Sequence, residues 1–463
     1  MKHGLTQFTK ERFSHNIALM STHGKQIQIF LGCLFFLLTL SHAGTAMADS
    51  VVVATGVPSQ DVSNVQKAVD NGGSVLLKGH FNFGEKGRVT IRKSVEIRGE
   101  EDNLGLPLTT IAGGFWAFYS TLPVPGAPPA KKGPLITVRS LHFKKPKGTP
   151  MHFAYASGLE IRNNIVEHVI PQELKVEWAE GDTLLFAAGV VAGCRLDHRK
   201  GMLERAVQGV INIKNNRFHM MADKPEATAG RGVMVDWTWG ATIRVEGNIV
   251  TKASRNAIEL LDNVRSDKGE GSITVADNQI TTDNRGIEHP NKFTPNGIVA
   301  GWFFDTSGGN QFKRNSQTMI LRNNIEIRGD SSTGIFILGN DATVAGNEIT
   351  MGGGHKARGI IQTGSRGFIT ANRFLGAGQY AIFSVPFEKL KASVNIFAWN
   401  DFNTFMGIKG QMLVSGSLNR ILGKTLVNDK GKGNVHLDVP PVKLPDIEPD
   451  GDIETWEPQE NLP

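Results

Sequence analysis

A recurring eight-residue phrase constrains the fold of this chain more than any other feature. In each copy one residue separates two aliphatic residues, and two polar positions, an Asn and a final apolar residue follow. Clear copies span residues 159–166, 211–218, 243–250 and 273–280, and weaker copies lie around Asn324, Asn347, Asn372 and Asn400. Alternation with period two predicts a β-strand whose Ile and Val side chains share one face. Asn tolerates the left-handed backbone of a sharp corner, and its amide can bond neighbouring backbone. Stacked corners of this kind predict a solenoid with an Asn ladder.

A second strand follows each Asn and distinguishes this solenoid from leucine-rich repeats. In those repeats Leu dominates and a helical or irregular segment returns the chain, whereas Ile, Val and Phe dominate here. The second strands are residues 231–236, 256–261, 285–288, 333–337, 358–361 and 380–383. Two strands per coil without a helical period predict an all-β parallel β-helix of roughly ten to fourteen coils. The side chains expected to point into its core are those of Ile161, Ile213, Val245, Val275, Val344 and Ile369.

The combination Gly-Ile-x-Ile, corner, Ile-x-Val-x-x-Asn-x-Ile resembles the right-handed parallel β-helix proteins of the pectin-lyase-like superfamily, in an exported bacterial branch. The resemblance covers residues 62–437, and it implies one solenoid domain over residues 49–438. It implies no particular activity, because one scaffold hosts many functions. The Arg-x-Pro-x-x-Arg segment of pectate lyases is absent, as is the Asn-Thr-Asp, Asp-Asp and Gly-His-Gly set of polygalacturonases. No family catalytic residue can therefore be transferred to this chain.

The first 48 residues have the pattern of a signal peptide. Lys25 precedes an apolar run at 27–40, and Ala46-Met-Ala48 supplies a small-x-small cleavage site. The run is short for a membrane span. We expect cleavage after Ala48, secretion to the periplasm or exterior, and no transmembrane segment in the mature chain. Cys194 is then the one remaining cysteine, so an intrachain disulfide is excluded.

Other segments predict how the solenoid ends and where loops leave it. Val62, Val65 and Val69 share one helical face before a Gly-containing stop, which predicts an N-terminal capping helix. Long insertions at 120–133, 171–201 and 289–317 interrupt the repeat, as functional loops often do. Residues 439–463 are acidic and rich in Pro, which predicts a disordered segment.

Strand alignment predicts a charged outward face. If Val233, Ile258 and Ile287 point inward, the residues after them point outward in coils about 4.8 Å apart. Close carboxylates cannot both ionise freely, so a raised pKa or a bound cation is expected there. Carboxylates, guanidinium groups and aromatic faces in one groove suit a sugar polymer. The predicted catalytic residues are Asp236, Glu259, Glu288 and His289, and the predicted substrate-binding residues are Arg231, Arg285, Trp237, Trp239 and Trp302.

Several functions stay open for this face. The favoured one is an exported β-helix of the cell envelope or exterior that binds polysaccharide. The alternatives are a polysaccharide lyase or glycoside hydrolase acting on an acidic glycan, and a structural surface or adhesion protein. The same charges would also fit a solvated ladder of Arg and Glu pairs that only stabilises the stack.

Composition and residue spacing limit the classes of partner and cofactor that this chain is expected to bind. The 50 Lys and Arg residues are dispersed along a chain of net charge +6, which argues against nucleic acid. No cofactor is indicated. Calcium stays open without a motif that specifies it, and the histidines occur singly, without metal-site spacing. These histidines are His80, His142, His152, His168 and His219.

Overall fold

The computed structural model describes residues 50–122, 133–175, 183–193, 206–220, 228–266, 268–283, 295–301, 317–387 and 390–440. The predicted signal peptide and segment 441–463 lie outside these residues, as do parts of the three long insertions. The prediction that residues 171–201 and 289–317 are loops is wrong in part, because each range contains a strand of a large sheet, Thr183–Ala192 and Asn296–Gly301 respectively.

The described chain winds through three sheets, here called A, B and C, and each coil adds one strand to each regular layer. Sheet A contains the first half of the repeat phrase. The 14 strands described for sheet A are Ser50–Val53, Gly73–Lys78, Val95–Gly99, Leu135–Arg139, Ala156–Arg162, Val207–Lys214, Thr242–Glu246, Ser272–Ala276, Gln317–Leu321, Thr343–Ala345, Phe368–Thr370, Ile396–Ala398, Arg420–Leu422 and Val435–Leu437.

Sheet B follows the Asn corner of each phrase. The 11 strands described for it are His80–Gly84, Thr109–Gly113, Leu141–Lys144, Ile165–Glu167, Arg217–His219, Ile249–Ala253, Gln279–Asp283, Asn324–Arg328, Glu348–Gly352, Arg373–Gly378 and Asp401–Gly407.

Sheet C contains five of the six second strands predicted from the sequence, and the sixth, 285–288, lies outside the described residues. The strands described for it are Val89–Thr90, Phe118–Ser120, Met151–Phe153, Thr183–Ala192, Thr228–Val235, Asn256–Leu261, Asn296–Gly301, Thr333–Leu338, Arg358–Gln362, Tyr380–Ser384, Met412–Val414 and Val427–Asp429, and Gln172–Lys175 pairs antiparallel with Thr183–Ala192.

All pairings along the three sheets are parallel, apart from that one hairpin, and neighbouring strands come from successive coils. Crossovers between parallel strands of one sheet are right-handed in nearly all proteins. The fold is the right-handed parallel β-helix expected from the repeat and from the resemblance. The 14 strands of sheet A agree with the expected number of coils.

The core follows the predicted alternation. All six side chains expected to point inward are fully buried: Ile161, Ile213, Val245, Val275, Val344 and Ile369. One continuous apolar cluster extends from Val52 in the first described strand to Ile421 near the last. Stability therefore comes from burial that each coil shares with its neighbours.

The Asn ladder is confirmed for all four of its clear copies. Asn216 illustrates the pattern: its N–H and its Nδ2 both donate to Asn248 Oδ1 at 3.0 Å, and its Nδ2 also donates to the Ile161 carbonyl at 2.9 Å. The same bonds link each successive corner. The ladder consists of Asn164, Asn216, Asn248, Asn278, Asn323, Asn347, Asn372 and Asn400.

The structure corrects two details of this ladder. The sequence analysis assigned Asn324, but the ladder residue of that coil is Asn323, and Asn324 is an exposed residue at the start of the next strand. The left-handed residue is also not the ladder Asn but the residue before it, for example Asn163 with φ 56° and Arg322 with φ 52°. The ladder Asn is therefore required for its hydrogen bonds and not for its backbone conformation.

The predicted N-terminal cap is the helix α1, Pro58–Asn71, which buries Val65 and Val69 against the first coils. Its Asp61 is fully buried and ties the helix to both neighbouring segments. The carboxylate accepts bonds from the Thr55 and Gly56 amides at 2.7 and 3.1 Å and from the Asn82 amide at 2.8 Å. Within the described ranges, no helix has the length and apolar character needed to cross a membrane.

Candidate functional site

The predicted outward face lies on sheet C, and part of its register is confirmed. Val233 pairs with Ile258, and Met234 pairs with Glu259, as the alignment required. The prediction of the next strand is wrong, because the strand that follows in the sheet is Asn296–Gly301 and not residues 285–288. Val299 therefore occupies the position beside Glu259 that was predicted for Glu288. Arg285, Glu288, His289 and Trp302 lie outside the described residues.

Glu259 and Arg231 form a buried ion pair on this face. Arg231 Nε donates to Glu259 Oε2 at 2.7 Å, and the two residues are only 5% and 4% exposed. Asn256 also donates to Glu259, and the Arg231 guanidinium lies 5.1 Å from the ring centroid of Phe186. Burial alone would raise the pKa of Glu259, but Arg231, Arg255 and the two hydrogen bonds outweigh it and lower the pKa. Glu259 is therefore an ionised, fully engaged carboxylate.

Asp236 lies one step further along the same face and is buried. Its Oδ1 accepts a hydrogen bond from the Leu261 amide at 2.7 Å. Burial, reinforced by the negative charge of Glu259, raises the pKa of Asp236 well above 3.8. The raised pKa favours the neutral form of this carboxyl, and its Oδ1 is already engaged by a backbone amide.

The two tryptophans predicted as a sugar platform do not form an open one. Trp237 is 4% exposed and packs in an apolar cluster with Phe186, Ala188, Val191 and Met234. Trp239 is half-buried, and its amide donates to the Val207 carbonyl at 3.3 Å.

The expectation of an open groove at Asp236, Glu259 and Arg231 is therefore wrong. The outward row that contains Glu259 also includes Val191, Met234, Val299 and Ile361, all of which are buried. Covering such an apolar row removes it from water, which favours a closed surface.

A second polar surface lies on the outer side of sheet B and is open to solvent. The register aligns Lys144, Glu167, His219 and Thr251 in four successive coils. We call the surface around this row the histidine–lysine patch; it comprises His142, Lys144, Lys145, Lys147, Glu167, His168, His219 and Lys252. All four of its lysines and His168 are exposed.

The backbone at the edge of this patch directs further side chains to the same place. Lys145 and His168 directly follow the strands Leu141–Lys144 and Ile165–Glu167, whereas Lys252 lies at an irregularity within Ile249–Ala253, and all three have left-handed φ angles between 50° and 55°. Non-glycine residues adopt this conformation infrequently. Here the shared backbone conformation repeats a charged or titratable side chain along the stack.

Direct contacts connect the histidines to one carboxylate and one hydroxyl. His142 Nε2 lies 2.9 Å from Glu167 Oε2, and His219 Nδ1 lies 2.8 Å from Thr251 Oγ1. The rings of His168 and His219 are 5.8 Å apart, centroid to centroid. Glu167 thus lies among three imidazoles.

The charges of the patch tune these groups in opposite directions. Burial opposes the change, but the hydrogen bond from His142 and the charges of the three histidines lower the pKa of Glu167. Burial, then the positive charges of Lys252 and His168, lower the pKa of His219 from 6.5, although Glu167 acts against them. At neutral pH the patch therefore presents an ionised Glu167, a neutral His219 and the four lysine cations.

A surface cavity of about 690 Å³ opens at the N-terminal side of this row. Lys144, Lys145, Lys147 and His168 line it together with Glu85 and Glu167. The cavity thus contains three lysine cations and two carboxylates, with His168 as a further titratable group. Among the described residues, no three His, Cys, Asp or Glu side chains are arranged to hold a metal ion.

The sequence analysis treated His142, His168 and His219 as isolated residues. A signal was nevertheless available, because Glu167, His219 and Thr251 each lie three positions after the ladder Asn of their own coil. Aligning the coils on the ladder would have placed these three side chains in one row.

No protein-family model matches this chain, and no curated protein sequence matches it. Among solved structures, it is similar to two Azotobacter vinelandii mannuronan C-5 epimerase A-modules, both at 12% identity. The AlgE4 module has a TM-score of 0.36 and the match covers 81% of this chain and 97% of the module. The AlgE6 module has a TM-score of 0.35, with coverage of 86% and 98%. A mannuronic acid specific polysaccharide family 6 lyase from human gut microbiota has 14% identity, a TM-score of 0.33, and coverage of 85% and 92%. At such identities the likeness concerns the fold alone.

Proposed function

We propose that the protein is an exported β-helix that binds an acidic polysaccharide at the histidine–lysine patch. The observation that carries this proposal is the exposed cavity of about 690 Å³ whose wall includes Lys144, Lys145 and Lys147. Exposed ammonium groups attract carboxylates, and a concave surface surrounds a bound chain on several sides.

The repeat of the solenoid suits a polymer better than a small molecule. The row from Lys144 to Thr251 extends across four coils, each about 4.8 Å from the next. Hydroxyl, imidazole and ammonium groups along this row can bond to sugar hydroxyls and uronate carboxylates in succession. Export agrees with a substrate at the cell surface, and it rests on the signal-peptide pattern of residues 1–48.

A charge-reversal experiment tests the binding site. Lys144→Glu combined with Lys147→Glu should weaken binding of uronate oligomers by at least about tenfold, because two attractive charges become repulsive. The affinity of the unaltered chain should fall as salt is added. Titration calorimetry at two salt concentrations measures both effects.

The matched control is Lys356→Glu combined with Lys391→Glu, two exposed lysines on later coils. This variant changes the net charge equally and should keep its affinity within about twofold, since distant exposed charges are largely screened. Equal weakening of binding in both double variants would show that the effect comes from the net charge of the protein and not from this site. If the unaltered chain binds no uronate polymer at low salt, the proposal fails and a structural surface protein is favoured.

One observation supports a second candidate function, a polysaccharide lyase. His219 is neutral at neutral pH because its pKa is lowered by burial, Lys252 and His168. A neutral imidazole can remove the proton next to a uronate carboxylate, while a lysine neutralises that carboxylate. The electron pair then forms the carbon–carbon double bond, and the glycosidic oxygen leaves and takes up a proton.

Ultraviolet absorbance of the unsaturated product tests this second function. His219→Ala should abolish product formation and leave oligomer binding within about threefold. His80→Ala is the matched control, since His80 Nδ1 lies 2.9 Å from Thr110 Oγ1 in a similar contact on sheet B. Absence of any unsaturated product from the unaltered chain excludes the lyase and leaves binding alone.

A further inference from the structure

The C-terminal end of the solenoid differs from the N-terminal end. Helix α1 covers the first coils, but among the described residues the three sheets end at the other side without a covering helix. Asp401–Gly407 is the last strand of sheet B, Val427–Asp429 of sheet C and Val435–Leu437 of sheet A. Open strand edges of this kind are sites of association unless they are covered.

Apolar side chains concentrate at this end. Leu426 is 73% exposed, Met406 72% and Leu418 62%. A cavity of about 360 Å³ also reaches the interior here, and core residues Phe397 and Ile421 line it. The cavity thus brings the surface close to the hydrophobic core at the C-terminal end, although Phe397 and Ile421 are themselves buried.

The same end is positively charged. Its exposed cations are Lys409, Arg420, Lys424, Lys430 and Lys432. Two of its three carboxylates already have partners: Asp401 lies 3.7 Å from Arg373, and Asp429 lies 2.8 Å from His436. An anionic and partly apolar occupant would match this surface in both respects.

Such a segment follows directly in the sequence. Asp438, Val439 and Pro440 line the cavity, so segment 441–463 starts at its edge. From Leu444 onward the segment contains seven carboxylates and no Lys or Arg. Its apolar residues are Val442, Leu444, Ile447, Ile453, Trp456 and Leu462.

We propose that segment 441–463 binds back onto the C-terminal end of its own solenoid and caps it. Its apolar side chains cover the cavity and the exposed leucines, with Trp456 supplying the largest contact area. Its carboxylates pair with Lys424 in the cavity wall and with the other exposed cations of this end. Composition alone predicts disorder for this segment, and the apolar, basic surface beside it supplies the binding energy that the segment lacks in isolation.

Removal of the segment tests the cap. A chain that ends at Pro440 should unfold several degrees lower than the full chain, bind a hydrophobic dye, and bind a synthetic peptide of residues 441–463. The full chain should bind the same peptide at least tenfold more weakly, because its own segment occupies the site. Salt should weaken the peptide's affinity for the shortened chain.

Point variants keep the test decisive if the shortened chain does not fold. Trp456→Ala in the full chain leaves every solenoid residue intact and should increase both dye binding and peptide binding. Lys424→Glu combined with Lys430→Glu should increase dye binding, whereas the exposed pair Lys356→Glu and Lys391→Glu should not. Equal dye and peptide binding by the full chain and Trp456→Ala would overturn the proposal. A full chain that associates end to end through this surface, with the segment dispensable, would also overturn it by identifying a second copy as the occupant.

Discussion

Replacing Asn323 with alanine should lower the free energy of unfolding by about 3–5 kcal/mol, from several buried hydrogen bonds lost together. Its Nδ2 donates to the Val275 carbonyl at 3.0 Å and to Asn347 Oδ1 at 2.9 Å. Its Oδ1 accepts from both the amide and the Nδ2 of Asn278 at 3.1 and 2.9 Å. Alanine leaves these partner groups buried without a hydrogen bond. The cost of removing each of them from water then adds to the loss of stability.

The neighbouring residue is a natural control. Asn324→Ala alters an exposed side chain at the start of a strand and should change the free energy of unfolding by less than about 0.5 kcal/mol. Chemical denaturation of both variants makes the comparison. Similar losses at the two positions would contradict the ladder assignment, and a larger loss at Asn324 would restore the register inferred from sequence.

The Asn323 correction illustrates how far the repeat phrase determines the fold. Its alternation was sufficient for the strands, the inward row and the stacking, because buried aliphatic positions must keep one register. The position of the ladder Asn at the corner was harder to predict. Where two polar residues precede the strand, the first adopts the left-handed backbone and the second enters the ladder, and in this coil the left-handed residue is Arg322. Asn and Gly are the residues usually expected in the left-handed conformation. The sequence prediction therefore placed the ladder Asn of this coil one residue too far along the chain.

The misassigned strand on sheet C has a physical reason visible in the sequence. Residues 285–288 and 296–299 both read as a polar residue, Gly, Ile and one more residue. The next inward position would be His289 in the first case and Ala300 in the second. Ala300 is buried beside Leu260, whereas His289 precedes Pro290, which cannot donate to a strand ladder. Extending the inward row by one position would have selected the second segment.

The candidate sites show a different limit. Alternation separates inward from outward residues but does not report whether an outward row is covered, so Glu259 and Asp236 were predicted on the correct face with the wrong exposure. The histidine–lysine patch was missed because its members come from separate coils. Its assembly depends on register between segments distant in sequence, as with Glu167 and His219.

Burial also changes what the Arg231–Glu259 pair contributes. As an exposed ladder, such a pair would contribute about a kilocalorie or less. Here Glu259→Gln should lower the free energy of unfolding by about 3–5 kcal/mol, because it leaves buried guanidinium charge uncompensated. Arg231 and Arg255 both face this carboxylate, so two cations lose their counter-charge at once. Arg231→Met should cost less, since Glu259 keeps Arg255 and the hydrogen bond from Asn256.

Asp341→Asn is the matched control for this prediction. Arg366 Nη2 lies 2.7 Å from Asp341 Oδ2, the same separation as in the buried pair, but both side chains are about half exposed. Removal of this exposed Asp341–Arg366 ion pair should change the free energy of unfolding by less than about 1 kcal/mol, and added salt should reduce that change further. Urea unfolding of Glu259→Gln, Arg231→Met and Asp341→Asn measures the three changes in stability. If Glu259→Gln is as mild as Asp341→Asn, solvent reaches the sheet C pair, and the open groove predicted from the sequence would be restored. If Glu259→Gln lowers the free energy of unfolding more than Arg231→Met does, the carboxylate compensates both buried guanidinium groups, as expected for a covered face of sheet C.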